Sequence, residues 1–215
     1  MGRSLKRTVL ILALSCGLAS CMANVPGAFV DQELAATAPE KSGLLVGSIS
    51  RPNEERTYSR YTLKFRKLGT DQKMVAHYSR LVPASSDFVD ERTAGTVFVM
   101  NLPEGEYEIY NFELYAGSRT SAREDFSVRF RVLAGKTNYI GEFLGKTMFA
   151  PDIFFGRPTP AGIHWSLSDQ ERRDIAVARK ATGDSRLGSV TPIVVEIDRG
   201  AALFFIDVRV PETKT

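Results

Sequence analysis

Phe126-Ser127-Val128-Arg129-Phe130-Arg131-Val132 alternates apolar and polar side chains without a break. Successive side chains of a strand point to opposite faces, so this stretch buries Phe126, Val128, Phe130 and Val132 and turns Ser127, Arg129 and Arg131 outward. Upstream, Tyr61, Leu63 and Phe65 alternate with Thr62, Lys64 and Arg66 in the same way. Thr96-Val97-Phe98-Val99-Met100 is continuously apolar and predicts a central strand covered on both faces. Gly, Pro, Asp and Ser punctuate the intervals at turn-like spacing. Short strands so punctuated indicate a sandwich or barrel, and the fold expected is an all-β, antiparallel β-sandwich.

Residues 104–116 change parity. Tyr107 and Ile109 share one face, whereas Phe112 and Leu114 fall on the other. One strand buries both sets together only with an extra residue, so a β-bulge is expected near Tyr110 or Asn111, two separate strands being the other solution. A single short helix is expected over 169–182. Ser168-Asp169-Gln170-Glu171 fits a capping box, Gly183 suits a helix end, and Ile175 and Ala178 share a face. Residues 192–197 and 202–210 read as two terminal strands, with Asp198-Arg199-Gly200-Ala201 as a hairpin turn between them.

Leu102-Pro103-Glu104-Gly105-Glu106-Tyr107 is a turn motif in which proline fixes φ, glycine closes the turn and tyrosine enters the next strand. It resembles the Leu-Pro-x-Gly-x-Tyr turn of prealbumin-like β-sandwich modules, such as carboxypeptidase regulatory domains and collagen-adhesin B-type domains. With Gly135-Lys136-Thr137, Tyr139-Ile140-Gly141 and the later helix, the order is similar to that of uncharacterised bacterial lipoproteins bearing such sandwiches. The resemblance covers about residues 43–183, implies an all-β module, and supplies no catalytic residues. Gly135-Lys136-Thr137 is not a phosphate loop, because the upstream glycine and the following helix are missing.

The chain opens with Arg3, Lys6 and Arg7, an apolar run from Thr8 to Leu14, and Leu18-Ala19-Ser20-Cys21. The apolar stretch is too short to span a bilayer and reads as a secretory signal over residues 1–20. The last four residues resemble the lipobox of bacterial lipoproteins. That resemblance implies cleavage between Ser20 and Cys21, acylation of the Cys21 thiol, and attachment to a membrane through the N-terminal lipid. Residues 21–42 then form a tether, and 43–215 the domain. Met22 stands where aspartate would mark inner-membrane retention, so the resemblance points to the outer membrane, facing the periplasm.

Removing residues 1–20 from the 215 leaves 195, enough for one core of ordinary size without disulfides. It also removes three of the 28 basic residues, and the remaining 25 equal the 25 acidic ones. A neutral mature chain gives a nucleic-acid partner no electrostatic basis. Cys16 leaves with the signal and Cys21 is committed to lipid, so no thiol remains for a metal or a nucleophile.

The remaining candidates for chemistry are sparse. His77 and His164 stand beside Tyr78 and Trp165, and a zinc site would need both histidines and two carboxylates to converge. The carboxylate clusters Asp87, Asp90, Glu91 and Glu104, Glu106, Glu108 sit in polar or alternating contexts typical of solvated faces. Basic residues crowd 51–80 and acidic ones 104–125, as cross-strand pairing between neighbouring strands requires. The other reading of that asymmetry is a basic face toward anionic headgroups or an acidic partner. The proline-broken run 148–158 offers Phe149, Ile153, Phe154 and Phe155 as contacts for a partner or membrane surface. The reading as a whole is a membrane-anchored, non-catalytic binding or scaffolding module for an envelope protein, with no catalytic residue, metal or cofactor. The alternatives are an envelope hydrolase using His77 or His164 with carboxylates, and a small-ligand binder with a cavity between the sheets.

Overall fold

The computed structural model describes residues 28–30, 37–80, 86–151 and 158–208. Its strands are β1 (Ala28–Val30), β2 (Ser42–Pro52), β3 (Arg60–Lys67), β4 (Lys73–Ser79), β5 (Phe88–Val89), β6 (Thr93–Pro103), β7 (Gly105–Tyr115) and β8 (Arg119–Ser121). They continue with β9 (Val128–Val132), β10 (Thr137–Ala150), β11 (Thr159–Ser168), β12 (Val190–Pro192), β13 (Glu196–Ile197) and β14 (Phe205–Val208). Helix α1 spans Glu171–Thr182. One seven-stranded sheet runs β1-β4-β3-β7-β9-β13, with β8 also against β7. The other runs β14-β11-β10-β2-β6-β5, with β12 also against β10. The protein is an all-β sandwich with one short helix. Most pairings are antiparallel, but β10 runs parallel to β2 and β12, and β11 parallel to β14.

The alternating stretches supply the core between the sheets. In β9, Val128, Phe130 and Val132 are buried while Arg129 and Arg131 are exposed. Phe65 of β3 meets Phe98 of β6 and Phe130 of β9 edge to face, with ring centroids 5.9 and 6.2 Å apart. Trp165 packs against Tyr61 and Phe112 across the sandwich. Strand β6 is covered on both faces as expected, although it lies next to the short edge strand β5 rather than at the centre. Its Phe98, Met100 and Leu102 enter the core between the sheets, while Val97 and Val99 face outward under α1.

The bulge lies where the parity change required it. In the β3–β7 pairing Lys64 faces Asn111 and Phe65 faces Ile109, so Tyr110 is the extra residue. Tyr107, Ile109, Phe112 and Leu114 are consequently all buried. Lys64 pairs with Glu113 at 3.2 Å and Arg66 with Glu108 at 2.5 Å, so part of the uneven charge resolves into cross-strand pairs, while Arg51 and Arg80 donate to backbone carbonyls instead. Glu108 is nevertheless buried, not part of a solvated face, because Arg66 and Ser127 take its two oxygens. The Leu102–Tyr107 turn carries the chain from one sheet to the other. Gly105 has φ +153°, and the Tyr107 hydroxyl donates back to the Pro103 carbonyl at 2.7 Å.

Three expectations are corrected. The stretch 21–42 is not tether throughout, since Ala28–Val30 pairs with β4 and Pro39–Lys41 forms a 3₁₀ turn leading into β2. The capping box at the start of α1 does not form. Gln170 occupies the cap position, the Ser168 hydroxyl turns instead to Glu142, and Asp169 accepts the Glu171 amide. The helix end is as expected, with Gly183 left-handed at φ +66°. Finally, residues 198–201 are not a hairpin turn. β13 joins β9 in one sheet and β14 joins β11 in the other, with a 3₁₀ turn at Ala201–Leu203 crossing between them.

Candidate functional site

The densest chemistry lies on the outer face of the β14–β5 sheet, where α1 covers it. An apolar patch of Leu44, Val46, Val97, Val99 and Tyr139 receives Ile175 and Ala178 of the helix. Asp174 sits on the same helical face, four residues before Ala178, and is fully buried. Its carboxylate accepts the Ser48 hydroxyl at 2.7 Å and the Tyr139 hydroxyl at 2.9 Å. The Arg173 guanidinium closes on it at 2.8 Å. Burial pushes the Asp174 carboxyl above the usual carboxylate range, with Arg173 and the two hydroxyls opposing that rise. Burial, and then the Asp174 charge, likewise pushes the Tyr139 phenol well up.

Arg173 ties this centre to the surface. It donates to Glu142 at 3.0 Å, approaches Asp90 at 3.5 Å, and stacks over the Phe88 ring with 3.6 Å from guanidinium carbon to centroid. Tyr139 and Glu142 are three residues apart in β10, a spacing that puts side chains on opposite faces of a plain strand. The β10–β2 register shifts between Tyr139 and Gly141, and this bulge turns both toward the helix. Gly141 makes it possible. Its φ is +111°, and a Cβ there would meet the Leu167 side chain at 2.7 Å.

Beside the network opens a cleft of about 580 Å³, lined by Asp90, Arg92, Leu144, Lys146, Ser166 and Arg173 among others. Its charges are mixed. Asp90 spends its oxygens on the Arg92 and Thr93 amides and the Thr93 hydroxyl. These bonds hold its carboxyl below the usual range against the opposing effect of partial burial. Asp87 accepts the Thr96 hydroxyl and the Val97 amide at the foot of β6.

The structure does not bring the two histidines together. His77 lies between buried Ala76 and Tyr78 in β4, and His164 between buried Ile163 and Trp165 in β11, so they face outward from opposite sheets. Burial, reinforced by Arg60, lowers the His77 pKa below its ordinary value. Among the described residues no group of three or more His, Cys, Asp or Glu is placed to hold a metal. Glu104 and Glu106 approach Arg131 at 3.9 and 3.7 Å on exposed ground. Phe149 is 53% exposed at the end of β10. Ser20, Cys21, Ile153, Phe154 and Phe155 lie outside the described residues.

Asp174 and Ser48 escaped the sequence reading. Asp174 sits in Glu171-Arg172-Arg173-Asp174, which reads as a solvated helix start, although its spacing to Ala178 placed it on the apolar face. No family model, curated protein or solved structure matches the chain.

Proposed function

We propose that this chain is a lipid-anchored bacterial envelope lipoprotein whose β-sandwich is a non-catalytic binding or scaffolding module for an envelope protein. Leu18-Ala19-Ser20-Cys21, set behind a basic start and a short apolar run, carries the reading. Cys21 is the only thiol after residue 20, which suits a residue committed to lipid. Met22 favours the outer membrane, periplasmic side, over the inner one. The prealbumin-like resemblance of the turn at Leu102–Tyr107 fits a module that presents a surface. The side chains at the cleft support the same reading, since Glu142 and Arg173, which line it, are engaged with each other and Arg173 also with buried Ser48 and Asp174 behind it.

The test is acyl labelling in a bacterial host. The wild-type chain incorporates labelled palmitate and sediments with membranes, whereas Cys21→Ala does neither. Labelling that persists in the variant overturns the anchor. Crosslinking of the native lipoprotein in its membrane recovers a protein partner, and saturable turnover of an envelope substrate by the purified chain contradicts the non-catalytic role.

A further inference from the structure

We infer that the cleft beside α1 is a carboxylate-binding site, in which the Lys146 ammonium and the Ser166 hydroxyl hold the anion and Leu144 meets the aliphatic body attached to it. The inference rests on the reading of the sandwich as a binding module, not on the lipid at Cys21, and gives that module a site and a ligand chemistry. Strand pairing places the residues. Across β10 and β11, Glu142 faces Ser168, Leu144 faces Ser166 and Lys146 faces His164. Phe143, Ile163, Trp165 and Leu167, which alternate with them, are buried in the core between the sheets, so the paired side chains point to the outer face. Lys146 and Ser166 are diagonal neighbours there, with Cβ atoms about 7 Å apart. Both line the cleft.

The fold leaves only part of the lining free. Glu142 spends one oxygen on Arg173 and the other on Ser168. Asp90 spends its oxygens on the turn between β5 and β6 and on Arg173. Arg173 is taken up by these carboxylates, by Asp174 and by the Phe88 ring. Glu91 and Arg92 are exposed neighbours on that turn and cancel in charge. Lys146, exposed, and Ser166, only 9% exposed, make no hydrogen bond or ion pair among the described residues. A hydroxyl so deeply set, lining a cleft and unused by the fold, is a donor available to a ligand.

One uncancelled cation beside one free hydroxyl matches a monoanion. A phosphate dianion would bring its second charge against Glu142, Asp90 and Glu91 with no further cation to meet it. The cleft, at about 580 Å³, is far larger than a carboxylate alone, and half-buried Leu144 supplies apolar surface beside the two donors. The anion therefore arrives on a larger, partly aliphatic molecule. Two sources carry that chemistry: a free aliphatic acid, and the carboxyl terminus of an extended peptide.

The test titrates the mature chain, carrying Cys21→Ala, with hexanoate and with N-acetyl-alanyl-leucine, and with the amide of each as an uncharged counterpart, following backbone amide signals by NMR. At least one acid shifts the Lys146 and Ser166 signals saturably, and its amide binds about tenfold more weakly or worse for want of the charge-assisted bond. The tighter acid names the source. Lys146→Met weakens the acid about tenfold or more and Ser166→Ala roughly threefold, with the melting transition in place. Lys146→Arg retains the binding, and Lys73→Met, in the opposite sheet, leaves it unchanged. No saturable shift with either acid, equal affinity for acid and amide, or wild-type affinity in Lys146→Met overturns the inference. Inorganic phosphate binding the site more tightly than both acids overturns it as well. A probe that is consumed, with the same dependence on Lys146, supports the site and contradicts the non-catalytic role. Failure to crosslink an envelope protein strikes the proposed module, and the titration on the purified chain separates that result from these.

Discussion

The two layers against the β14–β5 sheet are held by different forces. Toward the other sheet it presents Phe98, Phe143 and Trp165 to an interior of aromatic and branched side chains. Toward the helix it presents Leu44, Val46, Val97 and Val99, together with Ser48 and Tyr139 that bond a fully buried carboxylate. The inner layer is stabilised by area removed from water, which is non-directional and scales with volume. The outer layer buries fewer side chains and fixes the helix by directed bonds, each of which leaves a stranded partner if broken. One sheet thus supports a core of non-directional packing and a seam in which apolar packing is joined by directed bonds to a buried carboxylate.

Truncation inside the first layer carries the largest expected effect. Phe65→Ala, at a fully buried ring packed on Phe98 and Phe130, costs about 3–5 kcal/mol in denaturant unfolding. A smaller loss comes from the seam. Asp174→Asn keeps the shape but removes the charge facing Arg173, and costs about 1–3 kcal/mol. A neutral Asp174→Asn, with helix signal and melting point unchanged, breaks the comparison, because the seam is then apolar packing like the core. The smallest effect lies on the opposite sheet. The folded chain disfavours protonated His77, so the unfolded chain binds that proton first and stability falls as pH drops through about 6.5. His77→Gln flattens this acid-side fall in melting temperature, and an unchanged slope assigns it to other groups.

The sandwich was legible because strand periodicity is local. Phe126 to Val132 states its own inward face, and the parity break between Ile109 and Phe112 called for a bulge near Tyr110 or Asn111, of which the pairing with β3 makes Tyr110 the extra residue. Ile175, Ala178 and Gly183 similarly placed the helix. The seam was not legible, because Ser48, Tyr139 and Asp174 are far apart in sequence and meet only after the sheet assembles. The bulge at Gly141 that turns Tyr139 and Glu142 to one side depends on pairing with β2, which no local pattern encodes. The terminal segments failed for the same reason, since their partners β9 and β11 belong to different sheets. Ser168 was misread because Glu142, a strand residue, takes its hydroxyl away from the helix start.

The proposed anchor at Cys21 is what gives the sandwich its address. Mass spectrometry of the N-terminal peptide from membrane-extracted protein tests it most directly. The expected chain begins at Cys21 and carries acyl groups on that residue. A chain retaining residues 1–20, or an unmodified Cys21 thiol, contradicts it.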